Sequence, residues 1–303
     1  EVWTEVQDKS ASTPFILSKV IAFLEKPHEK PFFLWMNFIE THVPYIPPAE
    51  FIPQRPAGRD LRTLQPCIMP GAVRRHLEQA GDFSEGYSIA RYDGAVSYVD
   101  AGIGRILDTV SRMGLEKDTL IIVTADHGED LGERNFFFDH GPLTFTAGAR
   151  VPMIVHIPGR KPRTVRTPVS VMDIYPTILE LLQRKAPYPL QGVSLLEPQK
   201  DRLLYILGTS SHAVVKNGQH YVVLNPKLAK GLRLPAEHFF NYFSDPRETR
   251  NLFGSQAATA RALARQYDAF YDEFGDCLRH PPGEGKRKLK DKEKESLKTL
   301  GYL

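Results

Sequence analysis

Apolar residues recur along this chain in two alternating rhythms. Phe15, Ile16, Val20, Phe23 and Leu24 share one helical face behind Thr13-Pro14. A hydroxyl cap followed by a proline that needs no N–H partner predicts a helix start there, and Pro27 and Pro31 predict its end. Phe32 to Phe38 is an unbroken apolar run of strand length, the pattern of a strand covered on both faces. It stops at Ile39-Glu40-Thr41-His42-Val43-Pro44-Tyr45, where prolines at 44, 47 and 48 impose extended backbone. Residues 46–84 read as a long irregular excursion with one short helix over 72–79. From 84 to 113, Val96, Val99, Ile103, Ile106, Val110 and Met113 recur at steps of three and four, predicting a helix closed by Gly114.

Two further apolar runs, 119–125 and 152–157, predict buried strands. The first ends at Asp126-His127-Gly128 and the second at Pro158-Gly159. Residues 173–183 return to helix, with Ile174, Ile178, Leu181 and Leu182 on one face. Strands that are hydrophobic throughout and alternate with helices predict an α/β domain, its mostly parallel sheet sandwiched by helices. The rhythm changes after Leu196. Val214-Val215, then Lys216-Asn217-Gly218-Gln219, then 221–224 is a hairpin signature, because Asn-Gly supplies the positive φ of a tight turn. A strand near 239–243 and a helix over 257–274, burying Leu263, Tyr267, Phe270, Tyr271 and Phe274, complete a small C-terminal antiparallel β subdomain with a terminal helix. The domains expected are thus 1–195, 196–283 and a charged tail, 284–303.

Composition narrows this picture. With 303 residues, 42% hydrophobic and 25% charged, the chain suits one large domain with an appendage and excludes wholesale disorder. The formal charge is +3, and the tail accounts for it, with seven Lys or Arg against four Asp or Glu. A neutral body is not the footprint of a nucleic-acid binder, and the interspersed acids make the tail a solvated helix face. No apolar run approaches the ~20 residues that span a bilayer. Cys67 and Cys277 form neither a disulfide framework nor a metal pair. The sequence opens on Glu1 and enters a helical pattern at once, so it reads as the continuation of a longer polypeptide.

Candidate chemistry gathers after the predicted strands. In open α/β sheets ligands collect at the carboxyl ends of strands. Asp126 and His127 stand at such an end, His42 closes the first apolar run, and His140 follows in Asp139-His140-Gly141-Pro142. Each alone has an ordinary reading as a polar turn or a surface histidine. Together they are the stock of metal sites and acid–base catalysis. Gly102-Ile103-Gly104 lacks a third glycine for a dinucleotide fingerprint, and there is no HExxH, phosphate loop or GxSxG elbow.

These residues resemble a family. Thr124-Ala-Asp-His-Gly-Glu-Asp-Leu-Gly-Glu133 resembles the Asp-His-Gly-Glu signature of sulfatases, in the alkaline phosphatase superfamily. The likeness continues through His42-Val-Pro-Tyr45 and the helix carrying Tyr92-Asp93, Val99-Asp100 and Ile103-Gly-Arg-Ile-Leu107. Further matches are His140-Gly-Pro-Leu143 with Arg150-Val-Pro152, Val169-Ser-Val-Met-Asp173-Ile-Tyr-Pro-Thr177, Ser244-Asp-Pro-Arg-Glu-Thr-Arg-Asn-Leu252 and Leu300-Gly-Tyr302.

The resemblance implies an alkaline phosphatase-like fold and hydrolysis of a small-molecule or carbohydrate sulfate ester. Asp126 and His127 would be ligands of one divalent cation, calcium in most sulfatases; many members have Asn where this chain has His127. Hard oxygen donors suit Ca2+ or Mg2+, and the imidazole also admits Mn2+ or Zn2+. His42 would hydrogen-bond the sulfate or the leaving oxygen. His140 would steady the sulfate and help protonate the leaving group. The family's formylglycine nucleophile, in Cys/Ser-x-Pro/Ala-x-Arg, and its two further metal-binding aspartates precede the His42 motif and are not in this sequence. Cys67-Ile-Met-Pro70 with Arg74 has the wrong spacing and order for that role. The chain is therefore expected to be the C-terminal portion of a sulfatase, inactive alone, and by analogy extracytoplasmic. A phosphodiesterase, phosphonate monoester hydrolase or phosphoethanolamine transferase of the same superfamily, or a non-catalytic binding module, are the alternatives.

Overall fold

A computed structural model describes residues 12–63 and 69–279, with side chains up to Ala269. Cys67, the face formed by Phe270, Tyr271 and Phe274, and the tail lie outside the described side chains. The residues fall into two compact units. The first holds those up to Leu120 together with Ile157–Gly159; the second holds Ile121–His156 and those from Arg160 on. The boundary drawn at 195/196 from the sequence lies within the second unit.

In the first unit, helix α1 (Ser12–Leu24) buries Leu17, Val20 and Leu24. The Thr13 hydroxyl, the cap its sequence suggests, has no hydrogen-bond partner among the described residues. Instead the buried carboxylate of Glu40 accepts from the Thr13 amide at 2.5 Å and from the Ser12 hydroxyl. An anionic acceptor at a helix N-terminus is favoured by the helix dipole as well as by the hydrogen bonds. The run 32–38 is extended but has no ladder partner among the described residues. Its side chains alternate, with Phe33 79% and Trp35 74% exposed, so it is not the strand covered on both faces that its composition predicts.

The excursion 46–84 is more ordered than its sequence suggests. It contains α2 (Gly71–Ala80) and is strapped to the start of α3 (Glu85–Arg112). An Asp60–Ser84 bridge and the pairs Arg55–Asp82 and Arg59–Glu85 hold it there. Helix α3 begins with Ser84 accepting from Tyr87 N, and it ends before Gly114 at φ +68°, the stop its sequence predicts. Its buried face differs from the expected one. Val96 and Met113 are exposed, whereas Gly86, Ala90, Gly94 and Gly102 are buried beside Ile106 and Val110. Small residues let other segments approach. A β-carbon at Gly94 would stand 3.1 Å from the Phe51 carbonyl oxygen, and one at Gly102 would stand 2.8 Å from Thr13 Cγ2.

In the second unit, β1 (Ile121–Thr124) is followed by the short strands β2 (Asp130–Leu131) and β3 (Phe137–Asp139). Helix α4 (Thr146–Ala149) and β4 (Met153–His156) come next, then α5 (Ile174–Leu181). Strand β1 pairs antiparallel with β4, from Ile121↔His156 to Thr124↔Met153, and β2 pairs antiparallel with β3. Every ladder among the described residues is antiparallel. The helix-and-sheet class and the C-terminal antiparallel sheet are as expected; the parallel pairings expected of the first sheet do not occur among these residues.

That C-terminal sheet has the order β5 (Leu204–Leu207), β6 (Ser211–Lys216), β7 (Gln219–Leu224), β8 (Glu237–Asn241). Asn217 and Gly218 take φ +48° and +82° in the predicted hairpin. Helix α6 (Pro226–Leu232) links β7 to β8, and α7 (Phe253–Arg279) packs Ala260 and Leu263 against Tyr221 and Phe239. Phe137, Phe138, Phe145, Phe239 and Phe240 are fully buried, each contributing roughly 1.5–3 kcal/mol relative to exposure. Three of these five rings flank the segment that carries His140.

Candidate active site

Three of the four histidine and aspartate positions singled out by sequence come together in the second unit. Asp126 and His127 follow β1 directly. The chain can turn there because position 128 is glycine: a β-carbon would overlap the Ala147 carbonyl oxygen. The Gly128 amide donates to the Gly148 carbonyl at 2.7 Å, so α4 fixes the turn from outside. His140 leaves β3 next to Gly141, whose φ is +96°. Its ring stacks on that of His127 with centroids 3.9 Å apart and 21° between planes.

Hydrogen bonds set the chemistry of each ring. His127 Nδ1 lies 2.9 Å from the Gly128 carbonyl, which can only accept. Nδ1 therefore carries the proton, and in the neutral ring Nε2 keeps its lone pair. That Nε2 is 3.6 Å from Asp126 Oδ2, while Asp126 Oδ1 accepts from the His127 amide at 3.0 Å. A carboxylate oxygen and an imidazole nitrogen this close can serve one cation, and Asp126 is 62% exposed and open to ligand. Among the described residues no three His, Cys, Asp or Glu side chains are grouped to hold an ion, so this pair supplies two donors and not a complete site.

His140 is tuned by acids that sequence reasoning did not single out. Its Nδ1 is 3.4 Å from Oε1 of the nearly buried Glu129, and its amide donates to Asp139 Oδ1 at 2.9 Å. Burial alone would lower the imidazole pKa, but Glu129, then Asp139 and Asp126, outweigh it and raise it above the ordinary histidine value. Burial in turn raises Glu129, with His140 opposing. Asp130 is different. It is fully buried, its oxygens have no hydrogen-bond partner among the described residues, and burial pushes its pKa up to about 8, with Glu133 adding to the rise. Glu129 stands inside the Asp-His-Gly-Glu block, so its proximity to His127 was the available signal.

His42 lies in the first unit, on the turn after the extended run. Its amide donates to the Ile39 carbonyl at 2.9 Å, and its Nδ1 lies 2.7 Å from the Val43 carbonyl, ahead of a cis Val43–Pro44 bond. As in His127, a carbonyl partner places the proton on Nδ1.

Comparison with known proteins gives a consistent result. The Sulfatase family model matches residues 3–184. An arylsulfatase of Clostridium perfringens is 26% identical over 275 residues, covering 80% of this chain and 54% of that protein. A sulfatase of Formosa agariphila is 30% identical over 286 residues, covering 84% and 53%. A solved structure described as a complex with its substrate D-glucosamine-2-N,6-O-disulfate superposes with a TM-score of 0.56 at 19% identity, covering 91% of this chain and 72% of the other; it shares the fold. The chain spans about half the length of the curated relatives it matches.

Proposed function

The chain belongs to the sulfatase family of the alkaline phosphatase superfamily, and on that premise we propose that it supplies the cation-binding and proton-donating side of a sulfate ester hydrolase. The family depends on divalent metals. Asp126 and His127 would hold the ion, most simply Ca2+, since a carboxylate is a hard donor. When bound, the ion would offset the charge of the ester and of the departing oxygen.

The remaining work falls to this chain's side chains. The Gly128 carbonyl holds His127 in the tautomer that presents Nε2 to the ion. His140, whose pKa Glu129 raises against the effect of burial, steadies the sulfate and donates its proton to the leaving oxygen. The substrate is a small-molecule or carbohydrate sulfate ester, as the disulfated glucosamine bound by a protein of the same fold suggests. Strands β5–β8 and helix α7 would form the supporting β subdomain. No helix among the described residues is long and apolar enough to cross a membrane. The observation that carries the reading is the stacked His127–His140 pair beside Asp126 at the end of β1.

With calcium present, sulfate is expected to shift the His140 ring signals in an NMR titration of the wild-type chain and not of Asp126→Asn. Phosphate acting more strongly than sulfate would transfer the site to phosphate esters. No response to either anion would sink the reading. Residues 1–303 alone are expected to leave an aryl sulfate intact, because no nucleophile motif is in the sequence; calcium-dependent turnover would show that expectation to be wrong.

A further inference from the structure

We propose that Glu248 is a positioning residue that holds in place both segments bearing the candidate site. It stands in the Ser244–Leu252 block, far along the chain from either segment. Its side chain is wholly buried and has three partners. His220 Nδ1 approaches Oε1 at 2.5 Å, Arg134 Nη2 donates to Oε2 at 3.0 Å, and the Thr146 amide donates to the same Oε2 at 3.0 Å. Burial alone would raise this carboxyl, but His220, the Thr146 amide and Arg134 outweigh it and keep it ionised.

Each of two partners leads to a site residue. Thr146 opens α4, and α4 supplies the Gly148 carbonyl that accepts from Gly128, the residue after His127. Arg134 sits between β2 and β3 at φ +55°, with its guanidinium 3.9 Å above the Phe145 ring, and β3 runs directly into His140. One anion thus fixes the outer support of His127 and the turn that launches His140. The β5–β6 turn clamps the same loop from further on: Thr209 N donates to Gly141 O at 2.9 Å, and Ser211 Oγ to Pro142 O at 2.8 Å. The C-terminal sheet is therefore part of the frame of the site. This inference rests on the reading of Asp126, His127 and His140 as the working groups.

Hydrogen exchange of the full chain, measured without metal, tests the positioning by itself. A charge-assisted hydrogen bond is worth about 1.5–3 kcal/mol, so its loss should speed local opening at least about tenfold. Glu248→Gln is expected to accelerate the Gly128 and His140 amides by that factor while Val222, in the middle of β7, changes less than about twofold. Thr146→Pro removes the amide donor to Glu248, along with the long hydroxyl contact to the Pro246 carbonyl at 3.5 Å, at a first helical position where proline is tolerated; Thr146→Val, which loses the hydroxyl alone, is the control and should leave Gly128 within about twofold. Thr146→Pro should accelerate Gly128 and leave His140 and Val222 within about twofold. Glu248→Gln and Thr146→Pro should also shift the His127 ring signals. Glu248→Gln leaving Gly128 unchanged, or accelerating Gly128 only in step with Val222, would overturn the proposal, as would a Thr146→Pro chain in which Gly128 exchanges at the wild-type rate. Failure of the wild type to bind a cation would instead overturn the functional reading and leave these exchange results standing.

Discussion

Glu40 and Glu248 are both buried carboxylates that accept a backbone amide from the start of a helix, one in each unit. Their surroundings differ. Glu40 meets neutral donors, the Thr13 amide and the Ser12 hydroxyl, two residues before His42. Glu248 faces the largely buried cation Arg134, 11% exposed, and the buried ring of His220. A neutral-donor contact joins two backbone segments. An ion cluster also makes each member depend on the others, because a buried charge deprived of its partner is costly. The segment bearing Asp126, His127 and His140 hangs on the second kind of anchor.

Glu248→Ala is expected to have the largest effect, destabilising the second unit by about 3–5 kcal/mol, since the largely buried Arg134 loses its counter-charge and His220 and the Thr146 amide lose their acceptor. Urea denaturation followed through the tyrosines of β7 and α7 would measure it. Glu40→Ala should cost less, about 1–3 kcal/mol, the penalty for buried donors left unpaired. A Glu40 effect equal to that of Glu248 would erase the contrast.

Asp130 sharpens the comparison from the other side, as a buried carboxyl that anchors nothing. Its pKa is raised from 3.8 to about 8, so between these values the folded state binds a proton that the unfolded state has released. Stability should then fall as pH rises across that window, by up to about 1.4 kcal/mol per pH unit from this group. Asp130→Asn should flatten that part of the stability–pH curve, and an unchanged slope would show that Asp130 ionises freely in the folded protein.

The smallest effect concerns His140. Its raised pKa contributes stability below the unfolded histidine value, lost as pH rises through the folded one. Glu129→Gln should move the His140 midpoint to lower pH in an NMR titration. A midpoint that stays put would remove Glu129 from the account.

What could be read in the sequence was what local chemistry decides. The Asn217-Gly218 turn and the Gly114 stop of α3 each depend on a few neighbouring residues. Asp126 and His127 were legible because they close a predicted strand, and all three of Asp126, His127 and His140 because they fall in recognisable blocks. The buried face of α3 was misjudged because Gly86 and Gly94 admit other backbone and Gly102 admits the side chains of α1, so these positions are buried without apolar bulk of their own, and hydrophobic counting does not register that. The run 32–38 has the composition of a strand covered on both faces, but composition states what a strand can pair with and not what it meets. Glu40 and Glu248 were missed because their acceptor roles join residues 27 and 102 positions apart. Strands β2 and β3 were missed because Arg134, Asn135 and Phe138 take positive φ and break any strand rhythm.

The central claim is that Asp126 and His127 hold a cation beside His140. Paramagnetic Mn2+ added in small, substoichiometric amounts to the full chain tests it directly, even where binding is weak. The account predicts that the ring signals of His127 and His140 broaden well before those of His212, His220 and His238, and that Asp126→Asn abolishes this selectivity. Broadening that begins at other histidines, or that survives Asp126→Asn unchanged, would contradict it.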